Sequence, residues 1–405
     1  MELAERFLKL VSFDTTSDEA ADCCPSTPNQ LALAREIVAQ MRAMGIADAH
    51  VDQDGYVYGT VPATAPGPVI GLIAHMDTAP DAPGAGIRAR ITAPYDGGDV
   101  VLNEALDLRL SPRDYPVLER HVGKRLIVTD GTTLLGADDK AGVAEIITAV
   151  ETLIQDGLPH GPICIAFTPD EEIGEGASLF DLERFGADFG YTVDGGDVGG
   201  IEYENFNAAS ATVTVHGLSV HTGSAKGTMV NAANVAMEYH LSLPRMARPE
   251  TTEGREGFYH LCQMTGDVTE AKLGYILRDH DAAKLEYKKD NMRQAADYFN
   301  GKYGPGTVTV ELKDGYRNMI EKIRPHFHLV ETARTAIQMA GLVPEEVPVR
   351  GGTDGAVLSW QGLPCPNLGT GGFNFHGVLE CITAERMDKA TQVVLNIIAL
   401  YAKAD

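Results

Sequence analysis

The chain has 405 residues, 44% hydrophobic and 22% charged, which is enough apolar material for two globular domains and too ordinary a balance for a disordered chain. Its 57 acidic against 33 basic residues leave a formal net charge of −24, which argues against nucleic-acid or anionic-membrane partners, since both are recognised through Lys/Arg-rich surfaces. Six scattered cysteines without a C-x-x-C pair, no basic-then-apolar leader and no apolar run of spanning length lead to the expectation of reduced thiols, a cytoplasmic location and no membrane span.

In chain order, a helix opens the sequence with Leu3, Phe7, Leu10 and Val11 on one face. A second is predicted to follow Ser26-Thr27-Pro28 and to end at Gly45. Residues 51–61 read as a hairpin turning at Asp54-Gly55, and the continuous apolar run 68–74 predicts a strand buried on both faces. Residues 79–124, rich in Pro, Gly and Asp, predict a long irregular excursion, and 125–128 a short strand. A helix is expected over 140–155, closed by Gly157, then a buried strand over 163–168 and another ending at Asp194.

The pattern then changes. Strands are predicted at 211–215, 258–263, 272–278 and 307–312, with helices at 228–242 and 282–299, giving the order β-α-β-β-α-β of a ferredoxin-like split unit. Beyond Ile323 the earlier alternation resumes, with a helix through Ala340, a strand near Val347 and a last helix from Thr383. The expected fold class is α/β: a mostly parallel sheet covered by helices, formed by 1–205 and 318–405, with an α+β ferredoxin-like domain inserted over 206–317.

Five stations carry chemistry. His75 and Asp77 follow directly on the buried strand, two residues apart and so on one side of a strand end, although a loop cap would give the same pair. Asp138 and Asp139 precede a helix, where they read either as caps or as bridging carboxylates. Asp170, Glu171 and Glu172 follow another strand, and three adjacent acids repel one another unless solvated or neutralised by a cation. Asp194 ends a further strand, and His376 sits in a glycine-flanked loop. Two His, several carboxylates and no Cys suit zinc, cobalt or manganese in a site with open positions.

At these stations, and in Thr132–Gly142, Ala166–Glu172, Glu204–Ala209, Arg350–Ala356 and Leu363–Leu368, the sequence resembles the co-catalytic dizinc peptidases, most closely their tripeptide aminopeptidases. The resemblance implies two Zn²⁺ per subunit, with Co²⁺ or Mn²⁺ as substitutes. One ion would be bound by His75 and Asp194, the second by Glu172 and His376, and Asp138 would bridge them. Glu171 would be the general base and Asp77 the carboxylate orienting His75. A cis peptide is implied at Asp138–Asp139. The inserted domain would act as lid and homodimer contact, with His221 stabilising the oxyanion, although Thr222 stands where the family has proline. Arg278, Arg350 and Asn231 would bind a small peptide substrate with a free N-terminus.

The alternatives are a related dizinc dipeptidase or N-acyl amino acid deacylase, and a catalytically silent metal-binding protein on the same fold. No Gly-x-Ser-x-Gly elbow, cysteine-nucleophile signature or Walker sequence points to other chemistry.

Overall fold

The computed structural model describes residues 1–402. The chain divides into two compact units: a larger one of Met1–Tyr203, Glu321–Val347 and the chain from Thr353 onward, and a smaller one of Glu204–Ile320 with Pro348–Gly352. The sequence places the inserted domain over 206–317, whereas the smaller unit also takes in 204–205, 318–320 and the separated residues 348–352. Residues 348–352 join that unit where Asn205 and Val349 form a β-bridge and Arg350 hydrogen-bonds the 252–256 segment.

The larger unit is built on an eight-stranded sheet. Its centre is parallel: Ile163–Thr168, Ile70–His75, Phe189–Gly195 and Asn367–Gly369 lie side by side in that order, and all four strands are buried or nearly so. Burial on both faces explains their unbroken apolar runs. The hairpin His50–Val51/Val57–Val61 extends one side antiparallel. Gly200–Glu202 and Glu345–Glu346 extend the other.

Helices Leu3–Val11, Ala137–Asp156, His328–Met339 and Ala384–Tyr401 pack together in the larger unit. Ala137–Asp156 lies directly on strands Ile70–His75 and Phe189–Gly195. Gly142 makes that approach possible, because a Cβ there would fall 1.8 Å from the carbonyl oxygen of Val193. An aromatic cluster of Tyr56, Tyr58, Phe180 and Phe185 packs with Ile73, Leu358 and Leu363. Each fully buried side chain of this size contributes about 1.5–3 kcal/mol.

Residues 79–124 are not an irregular excursion. They contain strands Arg90–Pro94, Val100–Asn103 and Leu108–Leu110 and a short 3₁₀ turn. The strand Arg90–Pro94 is largely exposed, so it shows none of the polar–apolar alternation that sequence reasoning relies on.

The smaller unit is a four-stranded antiparallel sheet ordered Phe258–Gly266, Glu270–Asp279, Asn207–His216, Val308–Asp314, with helices Ala232–Ser242 and Ala282–Tyr303 packed on it. Val213, Val215, Leu273 and Leu277 form the strand side of its core, and Tyr239, Met292 and Phe299 the helix side. Among the described residues, no helix is long and apolar enough to cross a membrane.

Candidate metal centre

The four central parallel strands end on one edge, so the residues that follow them converge, as is usual for open α/β sheets. His75 ends its strand in register with Thr168, and Glu171 and Glu172 lie just beyond Thr168. Asp194 lies in the next strand. The strand Asn367–Gly369 leads into the loop that carries His376, closed by a two-way backbone pair between Phe373 and Cys381. Asp138 arrives from a different direction, at the head of helix Ala137–Asp156. Its φ/ψ and those of Asp139 are not helical, and the peptide between them is cis.

Asp138 Oδ1 lies 2.9 Å from His75 Nε2, and Asp138 Oδ2 lies 3.2 Å from His376 Nε2. One carboxylate thus offers one oxygen to each of two imidazoles. His75 Nε2 is also 3.3 Å from Asp194 Oδ1, and His376 Nε2 is 3.0 Å from Glu172 Oε2. Asp138 contacts both halves of the cluster.

Buried carboxylates hold the backbone around these groups. Asp77 lies 3.2 Å from His75 Nδ1, and its two oxygens accept the amides of Glu171 at 3.0 Å and Glu172 at 3.1 Å. Asp139 accepts the amides of His75 at 3.1 Å and Gly142 at 3.2 Å, so it serves as the cap of the regular helix. Asp170, in the left-handed region at φ 57°, accepts from the Ser26 amide and hydroxyl and from Gln30.

Burial pushes the pKa of Asp194 up to about 8, and burial followed by the charge of Asp194 raises Glu171 well above the carboxylate range. Glu172 is raised by burial as well. Hydrogen bonds to Asp138 and Glu172 raise His376 to about 11. Burial opposes charge on His75, but Asp194 and Asp138 outweigh it and hold its pKa well above the usual value. Burial also opposes charge on Asp138, and there His376 and His75 prevail and hold its pKa below the usual range. Within the cluster, carboxylate and imidazole charges offset one another. A divalent cation would offset the carboxylates while leaving both rings neutral and free to ligate.

The donor set fits such a cation. His75, Asp138 and Glu172 each present one ligand atom, all within 4.8 Å of one another, as do His75, Asp139 and Asp194. Asp138 is the better donor of the two aspartates, because both oxygens of Asp139 already accept backbone amides. Glu172 Oε1 is buried without a hydrogen-bond partner. Nitrogen and oxygen donors without thiolate suit zinc and its neighbours among first-row divalent ions.

The profile described as peptidase family M20/M25/M40 matches residues 129–400. The chain belongs to peptidase family M20/M25/M40. A curated M20 relative named peptidase T, from Alkaliphilus oremlandii, is 53% identical over 406 residues, covering 99% of both chains. Among solved structures, the aminopeptidase PepT of Bacillus cereus superposes with a TM-score of 0.80 at 26% identity, covering 99% of this chain and 98% of that one. A tripeptidase from Staphylococcus aureus matches at 0.79 and 24% identity, covering 100% and 98%.

Four residues that the resemblance singled out lie in the smaller unit of this M20 chain. His221 is exposed, and its Nδ1 accepts the Gly223 amide at 3.1 Å at the head of a 3₁₀ turn over Thr222–Ser224. Asn231 caps helix Ala232–Ser242 through the Asn234 amide. Arg278 stacks over Tyr316, with its guanidinium carbon 5.1 Å from the ring centroid. Arg350 donates to the carbonyls of Gly254 and Glu256 and to the Thr252 hydroxyl, and lies over Phe206 and Phe258.

Asp139, which the sequence offers as a cap or a bridging carboxylate, acts as the cap, while Asp170 and Glu380, to which the sequence gives no individual role, are likewise buried carboxylates that fasten the backbone at the centre. Asp170 stands among the three adjacent acids 170–172. Glu380 had only its place four residues after His376 as a signal.

Proposed function

We propose that this chain is a metal-dependent aminopeptidase that removes the N-terminal residue from tripeptides by means of two Zn²⁺ ions. The observation that carries the reading is the placement of Asp138 between His75 and His376, one oxygen toward each ring, which suits a carboxylate shared by two cations. The names of the relatives, peptidase T and tripeptidase, support the substrate class.

His75 and Asp194 would hold one ion, Glu172 and His376 the other, and Asp138 both. Bound there, the ions supply Lewis acidity, lowering the pKa of water and polarising the scissile carbonyl. Glu171 takes a proton from the attacking water and delivers it to the leaving nitrogen; its elevated proton affinity suits that task. Asp77 keeps the His75 ring oriented through Nδ1. His221, reaching the site from the partner subunit of a homodimer, stabilises the oxyanion, Arg278 and Arg350 hold the carboxylate end of the peptide, and Asn231 also binds substrate. A reducing cytoplasm suits six cysteines that are all unpaired.

The test is a panel of unblocked di-, tri- and tetrapeptides with N-acetylated tripeptides, assayed on chelator-stripped protein with zinc, cobalt or manganese restored. Cleavage confined to free tripeptides and lost on chelation is the expected result. Turnover of acylated substrates would move the function to an amidohydrolase, and metal binding without turnover would defeat the enzymatic reading.

A further inference from the structure

The loop that presents His376 has a second functional group at its far end. Phe373 and Cys381 pair through two backbone hydrogen bonds and close residues 373–381 into a ring of chain. Within it His376 points toward Asp138 and Glu172, with its side chain 44% exposed. Four residues on, Glu380 is 2% exposed and turns inward. Its Oε2 accepts the amides of Leu135 at 2.7 Å and Gly136 at 2.8 Å, and its Oε1 accepts the amide of Asp138 itself at 3.0 Å. Three backbone donors on one buried carboxyl attach this loop to the segment that carries the shared aspartate.

The attachment has a particular geometry. One loop supplies an imidazole to Asp138 Oδ2 and a carboxylate to the Asp138 backbone amide, so it meets Asp138 at both side chain and backbone. His75 and Asp194 have independent supports: Asp77 and Asp139 for His75, and Asn367 Oδ1, which accepts the Asp194 amide at 3.1 Å.

We infer that Glu380 is a positioning residue that fixes the His376 side of the two-cation centre onto the shared Asp138 and leaves the His75–Asp194 side to other supports. The inference rests on the proposed two-cation reading. Glu380→Gln is the informative change, because it preserves shape but turns an amide NH₂ toward backbone donors wherever it is placed. Leaving either oxygen's set of N–H groups unpaired lets residues 135–138 drift away from the loop.

The experiment is calorimetric zinc titration of chelator-stripped wild type, Glu380→Gln, His376→Ala and the double variant, with metal content after dialysis and thermal melting recorded alongside. The wild type is expected to take two ions. Glu380→Gln should keep the affinity of one and weaken the other by about tenfold or more. In the His376→Ala background the same change should add little, because both act on one position. Equal weakening of both ions, additive losses in the double variant, or unchanged affinities would each overturn the inference. A wild type that binds fewer than two ions would instead overturn the two-cation reading. Should Glu380→Gln not fold, Glu380→Asp, one methylene too short to reach all three amides, replaces it with the same pattern required.

Discussion

Asp77 Oδ1 stands 3.2 Å from Nδ1 of His75, so the imidazole that faces Asp138 is held from behind by a fully buried carboxylate. The same carboxylate accepts the amides of Glu171 and Glu172, and it thereby ties together the groups that follow two adjacent strands. Its removal should affect more than ring orientation. Asp77→Asn should weaken zinc binding by about 10–100-fold, read by calorimetric titration. Affinity within twofold of wild type would show that the ring needs no such partner.

Glu172 Oε2 lies 3.0 Å from His376 Nε2, whereas Glu171, among the described residues, makes no ion pair with either imidazole. Glu171→Gln should therefore lower kcat on tripeptides by about 10²–10⁴ and leave two ions bound, measured by metal content after dialysis. Glu172→Gln should lose metal first. Equal metal loss in both variants would contradict the division of roles.

The distribution of these supports also marks how far the sequence could be read. The apolar run ending at Ala74, the helix closed by Gly157 and the split β-α-β-β-α-β order are legible because burial imposes a period on local sequence. The helix Asp354–Gln361 and the strand Asn367–Gly369 are not, being eight and three residues long and lacking room for a period. The donors at strand ends stand out as His and acid clusters, and the resemblance sorted them into roles. Glu380 could not be found in this way, because its amide partner on Asp138 lies 242 residues earlier in the chain. A side chain that serves distant backbone leaves no mark in the local sequence.

Glu202 provides a pH test away from the donors. It accepts from Asn367 Nδ2 at 2.7 Å, and burial pushes its carboxyl up to about 7 from the ordinary 4.5. An acid that holds its proton more tightly when folded makes folding less favourable as pH rises between those two values. Glu202→Gln removes that cost, so its stability relative to wild type should rise from pH 4.5 to 7 by up to about 3 kcal/mol, one pKa unit being about 1.4 kcal/mol. Urea denaturation of chelator-stripped protein at pH 5 and pH 8 measures it, and a pH-independent difference would show the buried carboxyl is not responsible.

Gly142 is the position where the helix carrying Asp138 meets the strand carrying Asp194. A Cβ there would lie 1.8 Å from the Val193 carbonyl and 2.6 Å from Asp139 Oδ1. Backbone cannot yield as a side chain does, so Gly142→Ala should destabilise the protein by about 3 kcal/mol or more. The drop in melting temperature should persist in saturating zinc. Wild-type melting would mean the helix can shift outward freely.

The five residues Pro348–Gly352 carry a consequence for anyone who would move the smaller unit elsewhere. They come back to it after the chain has left, bringing the Val349 bridge to Asn205 and the Arg350 guanidinium over Phe206 and Phe258. A gene fragment covering 204–320 would express that unit without its last tile. Such a fragment is not a cassette: to transplant it between scaffolds, two separated stretches of sequence must travel together and be spliced at four junctions instead of two.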